Sequence, residues 1–308
     1  MQRGILSRAQ ALERGMPPDS VHWLVRTGRW QVLRRGVYST FTGVPAREAT
    51  LWAALLRAGA GAALSHQTAA ELFKVTDRPS SMIHVSVPAS RHIAGIPGVV
   101  VHRSARLAAA THPSLLPPRT RIEETLLDLA QQAATFDAAF GAVCAGCQRR
   151  LTTPRLLLEA MSRRKKMRWR AELTQALAEI GAGVHSLLEY RYVRYVERPH
   201  GLPRASRQAR MTADGRHRFL DNLYGEYGLC VELDGQDAHP DDRRWQDVRR
   251  TNSVTESGIV TLRYGWTDVN YRPCRIAAQI GLVLTNLGWR GPLRPCGPAC
   301  PVALARVS

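Results

Sequence analysis

The stretch Leu229 to His239, LCVELDGQDAH, decides how the C-terminal third of this chain is read. Leu229, Cys230, Val231 and Leu233 have the pattern of a short buried strand, yet Glu232 and Asp234 lie inside it. Carboxylates are among the side chains least often buried, and burying one unpaired is costly. Period-two alternation puts Glu232 and Asp234 on one face of that strand. Asp221 lies near the end of the preceding extended run, and a hairpin turning at Tyr224 to Gly228 sets the two strands side by side. Carboxylates converging on one point repel each other unless a cation lies between them. A hard ion such as Mg²⁺ binds through one or two carboxylates and keeps positions for water and phosphate oxygens. Ion pairs to Arg218 and Arg250 answer the same question without a metal.

Working outward, SLLEYRYVRYVE (186–197) is helical, ASRQARM (205–211) and HRFLDNLY (217–224) are extended, RRWQDVRRTNSVTESG (243–258) is helical, IVTLRYG (259–265) is a strand and RIAAQIGLVLTNLG (275–288) is a closing helix. Helix, three strands, helix, strand, helix is an α/β layer arrangement with a mixed sheet. Ser186 with Glu189 has capping-box spacing, so helix-start chemistry alone accounts for that acid as well as a site role does.

Asp221, then Glu232-Leu233-Asp234-Gly235 with His239, resembles the PD-(D/E)XK nuclease fold, in the branch related to very short patch repair endonucleases. Glu189, SRQAR, Asp247, Arg250 and GIVTLRY are further matching pieces, and the resemblance runs over about 120 residues from Ser186. It implies a restriction-endonuclease-like mixed sheet flanked by helices. Asp221 and Glu232 are then ligands of Mg²⁺ or Mn²⁺, Glu189 is an accessory acid, and His239 is an acid or base near the scissile phosphate. Arg207, Arg210 and Arg250 are candidates for phosphate contact. Asp234 departs from the family pattern, which has Lys there. Lys adds positive charge beside the attacking water, whereas Asp must act as a third ligand, a metal-bridging group or a partner for Arg250.

At the other end, LSRAQALERG carries a capping box in Ser7 and Gln10 and stops at Gly15. MPPDSVHWLVRTG starts a second helix at Pro17, Pro18 and Asp19, stops at Gly28, and turns Val21, Leu24 and Val25 inward. RWQVLRRGVYST then alternates like a hairpin with a basic turn at Arg34-Arg35-Gly36. Two short helices and a basic hairpin make the layout of a winged helix-turn-helix, with His22, Arg26 and Arg29 facing a groove and Arg34 and Arg35 reaching phosphates. The same 45 residues are similar to the winged-helix domain of AbiEi-type antitoxins, which implies DNA and a toxin protein as partners. Contact with protein alone is the other use of such a unit.

The fold class is therefore α/β, or multi-domain α+β: a winged helix-turn-helix at 1–45, an α/β connector at 46–180, a nuclease-like domain at 181–290 and a Pro/Cys-rich tail at 291–308. No catalytic set assembles by spacing in the connector. Ser65-His66 reads as a helix start beside a packed imidazole, Cys144 and Cys147 as small buried thiols, and SRRKKMRWRAE (162–172) as a linker and phosphate patch. A formal net charge of +18, from 43 Lys and Arg against 25 Asp and Glu, favours polyanionic partners. No apolar run approaches the ~18 residues of a membrane span. A cytosolic protein is expected, and its six cysteines are then thiols or metal ligands. Cys296 and Cys300, with Cys274 or a histidine, have the chemistry for zinc. Taken together, the expected function is a DNA-binding protein with an Mg²⁺-dependent endonuclease domain. The alternative is a non-enzymatic DNA-binding regulator, an antitoxin-like repressor on an inactive nuclease fold, kept open by Asp234 in place of Lys.

Overall fold

The structure, a computed structural model, describes residues 2–76, 79–213, 216–234, 256 and 258–306. His239, Asp247 and Arg250, and the side chain of Arg218, lie outside the described residues. The chain divides into two compact units, Met1–Leu173 and Thr174–Ser308. Both mix helices with sheet, as expected for a multi-domain α+β chain.

The first unit opens with β1 (Ile5–Ser7), α1 (Arg8–Glu13), α2 (Pro18–Arg26), β2 (Gln31–Arg34) and β3 (Val37–Ser39). Ser7 caps α1, and Gln10 closes the box back onto the Ser7 amide. Gly28, at φ +70°, receives the end of α2, and its amide bonds to the Val25 carbonyl. The three strands form an antiparallel sheet ordered β1-β3-β2. Leu6, Ala11 and Val21 make a small core beneath the two helices. Ile5 and Val37 instead join a larger core with α3 (Arg47–Ala58), so the small sheet is seated on that helix.

After α3 come β4 (Ala63–Leu64), α4 (His66–Leu72), β5 (Ile83–Pro88), β6 (Val99–Ser104) and α5 (Leu107–Ala110), then α6 (Ile122–Gln132), α7 (Phe136–Gln148), α8 (Pro154–Ser162) and α9 (Arg170–Gly181). The second sheet is β4-β5-β6, with β5 and β6 parallel. Cys144 is buried in α7. The basic run at 162–172 is more than a linker. The Arg164 side chain is only 11% exposed and binds Glu124 at 2.5 Å and Asp128 at 2.8 Å, while Arg106 reaches the same Glu124 at 2.7 Å.

The second unit continues with α10 (Leu187–Tyr192), which runs into a π-helical turn at Val193–Glu197, then β7 (Ser206–Ala213), β8 (Arg216–Tyr224), β9 (Leu229–Asp234), β10 (Val260–Gly265), α11 (Trp266–Tyr271) and α12 (Pro273–Asn286). The sheet order is β10-β9-β8-β7, with β9 and β10 parallel and the other pairs antiparallel. The expected mixed sheet is thus present, and α11 is a helix that periodicity does not reveal in so short a segment. Leu229 and Val231 face a core with Tyr192, Val196, Tyr264 and Ile280, whereas Cys230 packs with Leu220 on the sheet's other side.

A buried polar network ties the π-helical turn to the sheet. Glu197 accepts from Arg207 at 2.5 Å, from the Ala205 amide at 3.3 Å and from the Tyr224 hydroxyl at 3.4 Å. Tyr224 and Tyr192 share a hydroxyl contact of 2.7 Å, and Arg207 also bonds Asn222, whose own amide donates to the Val231 carbonyl. Burial is the main reason both tyrosines are held well above their ordinary pKa. Arg207, expected at phosphate, is instead buried within the sheet with 7% of its side chain exposed. Arg210, three residues along β7, is exposed. Breaking a buried pair strands its remaining charge, so Arg207→Ala should lower unfolding free energy by about 3–5 kcal/mol. Arg210→Ala should change it by less than about 0.5 kcal/mol. Urea unfolding of the two variants checks the assignment.

Candidate nucleic-acid interface and acid cluster

Helix α2 presents an exposed face bearing His22, Trp23 and Arg26, and Arg29 follows, exposed, just past the stop at Gly28. Trp23 is 44% exposed, and the Arg29 guanidinium sits 4.9 Å from its ring centroid. That cation–π contact aligns the arginine across the helix end. The basic turn divides its labour. Arg35 is exposed, but Arg34 donates to the Pro97 carbonyl at 2.6 Å, and burial lowers its pKa. Arg34 therefore anchors the hairpin tip, and Arg35 is the turn arginine that faces solvent.

The acids of the second unit separate into two groups. Glu232, 6% exposed on β9, pairs with Arg263 across the parallel strand β10 at 3.3 Å. Arg263 is thus a cation that answers for the acid on this interior strand, while Arg250 and the Arg218 side chain lie outside the described residues. Asp234 is exposed at the end of β9. Asp221 takes a different environment. The antiparallel ladder between β8 and β9 ends at Asn222–Val231, and the Asp221 Oδ2 then accepts the Leu233 amide at 3.0 Å. Its Oδ1 accepts from Gln208 Nε2 at 3.1 Å. Gln208 has φ +46°, where the β7–β8 register is interrupted.

Glu189 is 6% exposed at the start of α10. Ser186 caps the helix through the Glu189 amide, but the Glu189 carboxylate accepts the His185 amide at 2.9 Å, not that of Ser186. The capping box expected from the spacing is therefore displaced by one residue. Burial raises the Glu189 pKa, and the charge of Asp221 raises it further. Among the described residues neither Glu189 nor Asp221 has an Arg or Lys at ion-pair distance. Glu189 and Asp221 are thus two acids that feel each other's charge and have no Arg or Lys partner among the described residues, while Glu232 has one. Glu189, Asp221, Glu232 and Asp234 do not converge as a set of three or more ligand atoms within 4.8 Å of one another.

The structure assembles a third cluster that sequence spacing hides. His66, His84 and His102 bring ring nitrogens within 4.8 Å of one another. His84 Nδ1 lies 3.0 Å from His102 Nε2, and the His66 ring stacks on His102 with centroids 3.7 Å apart. His66 Nδ1 contacts Ser65 Oγ at 2.9 Å, and Ser86 donates to Ser65 at 2.8 Å. These residues come from the start of α4 and from adjacent strands β5 and β6, and the register His84–Val100 leaves His102 two residues along β6. The sequence sign is slight: one His within each of two short apolar strands. A pocket of about 880 Å³ opens beside them, lined also by Arg103, Arg106, Arg163 and Lys166.

The first 40 residues match the family described as transcriptional regulator, AbiEi antitoxin, over 1–40. That span is β1 to β3, including the exposed face of α2 and the basic turn. No curated protein matches the chain. No helix among the described residues is long and apolar enough to cross a membrane.

Burial first, then the neighbouring imidazoles, lowers His66 to about 3; burial and His84 lower His102 to about 4. The unfolded chain takes up protons near pH 6.5 that the folded unit refuses. The stabilisation is therefore complete above pH 6.5 and is lost as pH falls towards 4. Between pH 6.5 and 5 His66 alone should cost about 2 kcal/mol. Urea midpoints should fall over that range in the native chain and fall less in His66→Gln.

Proposed function

We propose that this chain is a DNA-binding regulator that contacts duplex DNA through its N-terminal winged helix-turn-helix. The observation that carries this reading is the exposed face of α2, with His22 and Arg26, and the exposed Arg29 just beyond its end, inside the segment that matches an antitoxin transcriptional regulator. Helix α2 enters the major groove as the recognition helix, and Arg35 on the hairpin turn meets the backbone. Arg34 supports the turn through Pro97. Trp23 adds apolar area beside Arg29. A net charge of +18 steers the chain to DNA at low salt, and a toxin protein is the partner that an antitoxin-like regulator implies.

A second reading concerns the second unit. Glu189 and Asp221, which feel each other's charge, with Glu232 on the strand next to Asp221, support a metal-dependent phosphodiesterase of the PD-(D/E)XK kind. Hard carboxylate oxygens suit Mg²⁺ or Mn²⁺, and the absence of a cation at Glu189 and Asp221 among the described residues fits them to hold one. The ion would supply Lewis-acid neutralisation of a phosphate and a more acidic water. Leu233 and Gln208 fix the Asp221 carboxylate, and His185 fixes Glu189. Arg263 already neutralises Glu232, which favours a retained scaffold over an active centre. Asp234, where Lys is the family residue, acts in the same direction. His239 and Arg250 remain candidates for acid–base work and phosphate contact, and Arg210 for phosphate contact on the exposed side of β7.

Two titrations separate these readings. Fluorescence anisotropy with duplex DNA at several salt concentrations should give a steep log–log slope. Replacing Arg26, Arg29 and Arg35 by Ala should make it shallower by about 0.9 for each phosphate that is no longer neutralised. Unchanged affinity and slope would remove α2 and its hairpin as the DNA reader. Nicking of supercoiled plasmid with Mg²⁺ or Mn²⁺, abolished by chelator and in Asp221→Asn with Glu189→Gln, would establish the second reading. Intact plasmid with DNA binding retained leaves the regulator alone.

A further inference from the structure

The C-terminal tail is anchored at a cluster outside both readings. His200, Cys274, Cys296 and Cys300 place one ligand atom each within 4.8 Å of all the others. Cys274 Sγ is 3.5 Å from Cys296 Sγ, and Cys300 Sγ is 3.5 Å from His200 Nε2. A tetrahedral zinc with Zn–S of ~2.3 Å and Zn–N of ~2.0–2.1 Å has S···S edges of roughly 3.8 Å and S···N edges of roughly 3.6 Å. The observed separations are close to those edges. They are far from the ~2.05 Å of a disulfide, and all three cysteines are free.

The surroundings orient the donors. His200 is fully buried, and its Nδ1 lies 2.8 Å from the Val196 carbonyl, to which it donates. That bond fixes the tautomer and leaves the Nε2 lone pair directed at Cys300, as in the outer shell of metal-bound histidines. The His200 carbonyl in turn accepts the Arg294 amide at 2.8 Å. Cys274 is the second residue of α12, so the start of that helix fixes the position of its sulfur. Cys300 is 5% exposed and Val302 fully buried, so the tail enters the core instead of trailing from it.

We propose that His200, Cys274, Cys296 and Cys300 form a structural Zn²⁺ site. Three soft thiolates and one imidazole select zinc over the hard Mg²⁺ proposed for the acids. Binding converts three thiols and Zn²⁺ into a Zn(S-Cys)₃(N-His) centre with release of three protons, and no electrons move. Four protein donors fill the tetrahedron and leave no position for substrate, so the metal is a clip and not a catalyst. All of β7 to β10 lies between His200 and Cys274, so the ion closes the chain around the sheet. His200 and Cys300 are 100 residues apart, and loop closure on that scale disfavours the unfolded chain.

The test uses the full chain purified under reducing conditions. Inductively coupled plasma and native mass spectrometry should find one zinc per chain. Exchange with Co²⁺ should give the intense visible bands of a tetrahedral thiolate site. Cys296→Ser with Cys300→Ser should lose the metal, and Cys144→Ser with Cys147→Ser should keep it. Should the first pair fail to fold, Cys296→Ser alone, at the exposed ligand, replaces it: weaker zinc retention against a chelator is the expected result. Reduced wild type that neither carries nor rebinds zinc would overturn the proposal. So would zinc retained undiminished in the Cys296 variants, or a mass two protons light from a Cys274–Cys296 disulfide.

Discussion

In a chain with 43 basic residues and 25 acids, an acid taken into the interior finds a guanidinium within reach, and the buried acids show it. Glu124 is held by Arg106 and Arg164, Glu197 by Arg207, Glu179 by Arg198 and Glu232 by Arg263. Each pair satisfies a charge that the interior could not otherwise keep. Several also join elements distant in sequence: Glu124 gathers α6 and the segment after α8, and Glu197 gathers the π-helical turn with β7 and β8. Glu189 and Asp221 are the departure from this rule. Among the described residues they accept neutral N–H donors and have no Arg or Lys partner, which is why a cation is proposed there and not at Glu232.

Much of this architecture is legible in the residues. The capping box at Ser7, the stop at Gly28 and the alternation of 30–40 define the two N-terminal helices and their hairpin because each rests on local chemistry. The mixed sheet follows from the apolar runs at 229–233 and 259–265. The features that escape the sequence depend on partners far apart along the chain. Arg207 and Arg210 look alike in the string SRQAR, yet β7 places one against Glu197 and leaves the other exposed. Arg34 and Arg35 part for the same reason, since only the packing of the 97 region decides which reaches Pro97. The pairing of Glu232 with Arg263 escapes the sequence because only a parallel crossover brings β10 alongside β9.

The histidine and cysteine clusters carry the same lesson. His66, His84 and His102 follow one another at intervals of 18 residues, a separation that no ligand motif marks. The parallel pairing of β5 and β6 stacks their rings. Cys296 and Cys300 signal a metal only weakly by themselves. The fold supplies Cys274 from the first turn of α12 and His200 from the turn before β7, completing four donors.

The regulator reading places the polyanion on α2 and its hairpin, and hydrogen exchange of the full chain with and without duplex DNA tests that placement directly. Slowed exchange concentrated between residues 18 and 36 is expected on adding duplex, with β7 to β10 little changed. Slowed exchange confined to the second unit, with α2 unaffected, would contradict that placement.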